Sequence, residues 1–138
     1  MTNLKVNITG VSFKNPVITA SGCFGFGREY ECMYPLEKLG GISLKGMTFQ
    51  EKLGNPPPRI AETPSGMLNS VGLQNPGVEH FLEYDMPYLA NQDTVKIANI
   101  AGSSIEDYCA IAERLSESEI DMFELNISCP NVKQGGAA

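Results

Sequence analysis

The run Asn126-Ile-Ser-Cys-Pro-Asn131 sets a thiol between two carboxamides on a short loop. Cys129 precedes Pro130, and a residue before proline is pushed to extended backbone, which can aim its side chain across a pocket mouth. A thiol in a polar, partly exposed loop can reach the thiolate form and act as a base or a nucleophile. The nucleophile reading wants a histidine partner. The single histidine, His80, lies well removed in sequence, early in a predicted helix, and reads as a surface or packing residue. A base needs only a suitable pKa, and a buried, inert thiol is the plain alternative. Cys23, Cys32 and Cys109 show no CxxC spacing and read as core or surface filler, free thiols in a reducing compartment.

Other groups suited to binding are scattered along the chain and need a fold to gather them. Residues 4–13 predict two short strands turning at Gly10, a hairpin able to plug the bottom of a larger fold. The pattern then becomes strand, loop, helix. Strands are expected over 15–21, 41–46, 94–100 and 120–126. Helical segments are expected over 28–33, at a turn over 36–39, over 78–86 with a stop or kink at Pro87, and from a capping box Ser103-Ser-Ile-Glu106 onward. Asn75-Pro76 reads as cap and first position of the middle helix. A long excursion with Asn55-Pro-Pro-Pro-Arg59 carries a second hairpin, 59–62 with 66–70. Strands alternating with helices mean a parallel sheet in an α/β fold. A closed barrel needs eight such units in about 250 residues, so four units mean half a barrel or a small open sheet.

Residues two apart on a strand share a face. One face collects Val17, Thr19 and Ser21, then Ser43 and Lys45, then Ile97 and Asn99, then Glu124 and Asn126. The opposite face carries Ile18 and Ala20, Ile42 and Leu44, Ala98 and Ile100, and Phe123 and Leu125, and is suited to packing under helices. The polar groups gather at the C-terminal strand ends, where parallel barrels hold their ligands. A buried polar group without a partner costs about 1–3 kcal/mol, so Ser21, Lys45, Asn99 and Asn126 either pair with one another and with water or meet a ligand. Carboxamides donate and accept, which matches a heterocycle edge of alternating N–H and C=O groups. Lys45 adds a charge for a carboxylate or for negative charge developing on a ring. Asn69, Ser70 and Asn131 add amides and a hydroxyl on adjoining loops. The loop Gly22-Cys-Phe-Gly-Phe-Gly27 has neither the GxGxxG pattern nor a Walker lysine.

Composition bounds the rest. A formal net charge of −6 argues against broad nucleic-acid binding. No apolar run approaches the roughly 20 residues of a membrane helix, and the start Met1-Thr-Asn-Leu-Lys-Val has no signal-peptide character, so a cytoplasmic location is the default expectation.

Six separated motifs in one order resemble the class 1 dihydroorotate dehydrogenases. They are Pro16-Val-Ile-Thr-Ala-Ser-Gly22, Ser43-Leu-Lys-Gly-Met-Thr48, Asn55-Pro-Pro-Pro-Arg59, Asn69-Ser-Val-Gly-Leu-Gln-Asn-Pro-Gly77, Ala98-Asn-Ile-Ala-Gly102, and Asn126-Ile-Ser-Cys-Pro-Asn131 with Gly135-Gly136. The segment Gly22–Tyr30 looks most like the 1B branch, although the 1A and 1B branches share the site residues. The resemblance implies a TIM (β/α)8 barrel holding FMN, of which residues 1–138 are the first four units behind an N-terminal hairpin. It implies oxidation of (S)-dihydroorotate to orotate in pyrimidine synthesis, with electrons passed to NAD through a partner subunit carrying FAD and an iron–sulfur centre, and a homodimer of catalytic subunits. By carry-over, Cys129 takes the proton from C5 while a hydride leaves C6. Ser21, Lys45, Gly46, Asn99 and Asn126 contact FMN. Lys45, Asn69, Ser70, Val71, Gly72, Leu73, Asn126 and Asn131 hold the pyrimidine. No metal ligand is implied within the chain. A cysteine at 129, where the membrane-bound class has serine, agrees with a soluble enzyme.

The phosphate site of such barrels lies in the loops after strands seven and eight, beyond these units. The expectation is that this chain by itself binds FMN weakly or not at all, does not turn over substrate, and associates through its raw strand edges. Two other readings stand beside it: a cysteine amidohydrolase or acyltransferase that forms a covalent adduct, and a non-catalytic half-barrel that only binds a partner.

Overall fold

A computed structural model describes residues 2–127. The chain opens with the hairpin β1 (Val6–Ile8) and β2 (Val11–Phe13), antiparallel with Ile8 opposite Val11. Thr9 and Gly10 turn it at φ of 49° and 92°, the left-handed pair that a two-residue hairpin turn requires. Phe13 is 1% exposed. Its ring lies so close to the start of the second parallel strand that a Cβ at Gly41 would sit 2.9 Å from Phe13 Cε1. The hairpin therefore closes the N-terminal end of the sheet. Lys14 fastens it there, donating to the Glu37 carbonyl at 2.9 Å and to the Asp93 carboxylate at 2.7 Å. That bond holds the Asp93 carboxyl below its usual range.

The central sheet is parallel, with β3 (Ile18–Thr19), β4 (Gly41–Ser43), β7 (Val95–Ile100) and β8 (Met122–Leu125) side by side in chain order. The ladder runs on past the strand ends: Met47 N donates to Asn99 O, and Asn126 N to Ile100 O, both at 2.9 Å. Between β4 and β7 the excursion forms the antiparallel hairpin β5 (Ile60–Thr63) and β6 (Gly66–Asn69). The helices are α1 (Val78–His80), α2 (Met86–Leu89) and α3 (Ile105–Ser116). Ile42, Leu44, Ala98 and Ile100 from the sheet and Phe81, Leu89, Ile111 and Leu115 from the helical segments form one buried cluster. All the described helices thus cover the same face. A doubly wound sheet would be covered on both faces and would reverse its strand order; neither occurs among the described residues.

Several local expectations are corrected. The helix expected over 28–33 is a single 3-10 turn, Arg28–Tyr30, so no α-helix joins β3 to β4. Asn75 does not cap the middle helix: Gly77 does, at φ 82°. Pro87 does not stop that helix either. A π-helical turn over Phe81–Asp85, with Met86 N bonded to Phe81 O, absorbs the missing donor and lets α2 continue. The capping box sits one residue on, at Ser104 and Asp107, because Ser104 holds the extended backbone (φ −143°) that an N-cap needs. On the outward face, Ile18, Phe123 and Leu125 are exposed rather than packed. They belong to the two edge strands, whose outward side chains the described helices leave uncovered.

Phe13→Ala would leave a cavity under the sheet, and Phe-to-Ala truncations in cores cost about 3–5 kcal/mol. Urea unfolding is expected to show that loss with an unchanged m-value; a loss below about 1 kcal/mol would mean that the hairpin plug is dispensable.

Candidate functional site

A cleft of about 720 Å³ opens at the C-terminal ends of the parallel strands. Strand parity brings its polar floor together. Ser21 follows β3, Lys45 and Gly46 follow β4, Asn99 lies on β7, and Asn126 follows β8; all five line the cleft. Asn126 Nδ2 donates to Asn99 Oδ1 at 3.1 Å, and Asn99 Nδ2 to Ser21 Oγ at 3.3 Å. Ser21 and Ser43 both donate to the carboxylate of Glu124. The groups thus pair partly with one another, and Lys45 and Asn126 both stand on the lining of the cleft.

Gly46 fixes how closely the backbone approaches this floor. A Cβ there would lie 2.6 Å from Asn99 Oδ1 and 2.9 Å from Leu73 Cδ1. The surface is therefore bare backbone flanked by amides, a shape that accepts the face of a flat ring. Thr19, on the same face as Ser21, keeps a buried hydroxyl without a partner.

Two loops make the walls. On one side, Lys45 N donates to Gly25 O at 2.9 Å, which ties the glycine-rich loop to the end of β4. The Phe24 and Tyr30 rings stack at 4.4 Å, and Tyr30 Oη donates to Cys23 O at 3.1 Å. On the other side stand Asn69, Val71, Gly72 and Leu73. Gly72 and Leu73 turn at φ 77° and 58°, and the left-handed state of Leu73 persists only where its surroundings enforce it. Asn55 provides that, donating through N to Val71 O at 3.0 Å and through Nδ2 to Ser70 O at 2.9 Å. Arg59 reaches Gln74 Oε1 at 2.5 Å and Leu53 O at 3.1 Å. Buried Asn75 accepts from Thr48 N and Gly77 N and donates to Leu73 O at 2.9 Å. The job of Asn75 is therefore to brace the loop.

Of the residues singled out by sequence, Ser21, Lys45, Gly46, Asn69, Val71, Gly72, Leu73, Asn99 and Asn126 line one cleft. Ser70 is exposed and stands outside the lining, its backbone held by Arg59 and Asn55. Cys129 and Asn131 lie outside the described residues. Cys23, read as filler, lines the cleft. His80 is about half exposed on the helical layer, 3.9 Å from Asp85 and with its ring tilted against Tyr84 at 4.5 Å, and does not line the cleft. Sequence reasoning assigned no role to Glu124, although parity put it on the polar face as a lone carboxylate. It also missed Tyr108, whose hydroxyl donates to Asn126 O at 2.7 Å and pins the end of β8 from α3.

A parallel α/β sheet in chain order, covered on one face by the described helices, with a polar cleft at its C-terminal end, is the arrangement of the barrel class of α/β folds. The chain belongs to the dihydroorotate dehydrogenase family, whose family model matches residues 3–138. It is 57% identical over 136 residues to the catalytic subunit of dihydroorotate dehydrogenase B (NAD(+)) of Petrotoga mobilis, covering 99% of this chain and 45% of the relative. It is 58% identical over 134 residues to the same subunit of Alkaliphilus metalliredigens, covering 97% and 44%. The chain thus spans a little under half the length of the curated relatives it matches. Among solved structures, the dihydroorotate dehydrogenase of Eimeria tenella in complex with ferulenol superimposes with a TM-score of 0.72 at 24% identity, over 95% of this chain and 38% of that one; this likeness speaks to the fold alone.

Gly46→Ala is expected to force the Asn99 carboxamide off Asn126 and to cost about 1–3 kcal/mol, the usual range for overpacking. A crystal structure of the variant tests this: an Asn99–Asn126 separation still near 3.1 Å would show that the floor tolerates a side chain there.

Proposed function

We propose that this chain forms the first four βα units of a TIM-barrel FMN-dependent dihydroorotate dehydrogenase of the NAD-linked 1B type, acting in pyrimidine biosynthesis. The observation that carries the reading is the convergence of Lys45, Asn99 and Asn126, from three neighbouring strand ends, around the bare backbone of Gly46. Identity of 57–58% to 1B catalytic subunits supports the branch.

The residues present suit a flavin. Gly46 leaves room for a ring face where a Cβ would intrude, and Ser21, Asn99 and Asn126 offer a ladder of donors and acceptors for its edge. Bound there, FMN would supply a two-electron acceptor for the hydride from C6 of dihydroorotate. Lys45 contributes a fixed positive charge in a partly desolvated cleft, where charge developing on a ring is stabilised more strongly than in water. The braced loop holding Asn69, Val71, Gly72 and Leu73 orients the pyrimidine. Cys129 takes the C5 proton; it needs no histidine for that, and His80 stands away from the cleft. Asn131, two residues on in the sequence, adds a carboxamide for the pyrimidine. The phosphate of the cofactor would be held by loops that follow strands seven and eight of the barrel, so residues 1–138 without those units would bind FMN weakly or not at all. The partner is a subunit bearing FAD and an iron–sulfur centre, and catalytic subunits pair as a homodimer.

The test is kinetic. In the FMN-loaded enzyme, Cys129→Ala is expected to lower kcat by about 10²–10⁴-fold, the usual worth of a general base. Cys129→Ser should retain part of the rate, with the acidic limb of the pH profile, where the rate rises as the base loses its proton, moved upward because a hydroxyl gives up its proton less readily than a thiol. Full activity in Cys129→Ala would remove the cysteine from the chemistry. Lys45→Ala is expected to weaken both flavin and orotate binding, and unchanged affinities for both would remove the lysine from the site.

A further inference from the structure

Glu124 lies two residues before Asn126 and, like it, turns into the polar side of the sheet. One carboxylate oxygen accepts from Ser21 Oγ at 3.2 Å, and the other accepts from Ser43 Oγ. A carboxylate has acceptors only, and a hydroxyl carries a single hydrogen. The Ser21 hydrogen is thus committed to Glu124, and Ser21 can meet Asn99 only as an acceptor. Asn99 must therefore turn its amide nitrogen to Ser21, as it does at 3.3 Å. Its oxygen then faces Asn126, which must present its own nitrogen, as it does at 3.1 Å. The free end of the chain is the Asn126 carboxamide oxygen, on the lining of the cleft.

A carboxamide turned over has nearly the same shape but exchanges donor for acceptor. Packing alone therefore does not choose between the two directions of the Asn99–Asn126 pair. Asn99 is 2% exposed and Ser43 is 4% exposed, so bulk water does not choose either. The remaining source of direction is the charged acceptor at the root of the chain.

We propose that Glu124 is a positioning residue that sets the donor–acceptor direction of the Ser21–Asn99–Asn126 chain, so that the cleft offers a carboxamide oxygen to an N–H on the edge of a planar heterocycle. The ligand half of this rests on the proposed flavin site; the direction of the chain does not.

Glu124→Gln keeps the shape of the side chain and brings in an amide donor where both serines had been donors. One serine must then turn its hydrogen away, and at Ser21 that reverses the chain. Two readouts separate the claims: the FMN dissociation constant, from flavin fluorescence, and the side-chain amide resonances of Asn99 and Asn126 in ¹H–¹⁵N spectra without ligand. In the unaltered protein each asparagine is expected to give one pair of slowly exchanging resonances. Glu124→Gln is expected to shift or double them and to weaken FMN binding about ten-fold, the scale of one misdirected hydrogen bond. Unchanged resonances together with a dissociation constant within about two-fold of the unaltered protein would overturn the proposal. If the complete barrel that carries these residues binds no FMN, the proposed function fails, while the resonances still test the chain's direction. Should Glu124→Gln not fold, Ser21→Ala cuts the chain between anchor and Asn99; it is expected to shift or double the same resonances, and unchanged ones would overturn the proposal.

Discussion

Every parallel strand has two faces, and in this sheet the described helices cover only one of them. That constraint decides where each side chain goes. Ile42, Leu44, Ala98 and Ile100 pack under the helices, so their neighbours Ser43, Lys45, Asn99 and, across the register, Glu124 are committed to the opposite side. A one-residue slip of register would exchange the two sets and put an ammonium, a carboxamide and a carboxylate into a hydrocarbon core. The packing that stabilises the sheet is therefore the same packing that gathers the polar groups.

Once gathered, those groups must satisfy one another or a ligand. Ser21, Ser43, Asn99, Asn126 and Glu124 do much of this internally, which makes the floor rigid before anything binds. Preorganised dipoles of this kind do not have to reorient when charge develops nearby. The walls are held by backbone contacts that are just as specific: Gly25 to Lys45, Asn55 to Val71, and Asn75 to Leu73. The left-handed turn at Gly72 and Leu73 depends on those braces.

Much of this was legible in the sequence because it follows from short-range rules. The hairpin over Val6–Phe13 was readable from Gly10, and the inner and outer faces of β4 and β7 from alternation. What escaped depends on distant partners or on near-ties. Ser103 and Ser104 can both cap a helix, and only the backbone angles select Ser104. Asn75 looks like a cap in sequence but is drawn off to Thr48, 27 residues earlier. The roles of Glu124 rest on hydroxyls 103 and 81 residues away, and no local pattern announces such a pairing. Phe123 and Leu125 alternate as a buried face would, yet exposure depends on what lies over a strand, which periodicity does not encode.

The account stands on one convergence, a flat ligand resting on Gly46 with its edge at Asn126 and Lys45. A crystal structure of the flavin-loaded protein tests it most directly. The account predicts the isoalloxazine ring face against the Gly46 backbone, its edge within hydrogen-bonding distance of Asn126 and Lys45, and the Asn99–Asn126 bond kept near 3.1 Å. A flavin seated elsewhere, with this cleft still open to solvent, would contradict it.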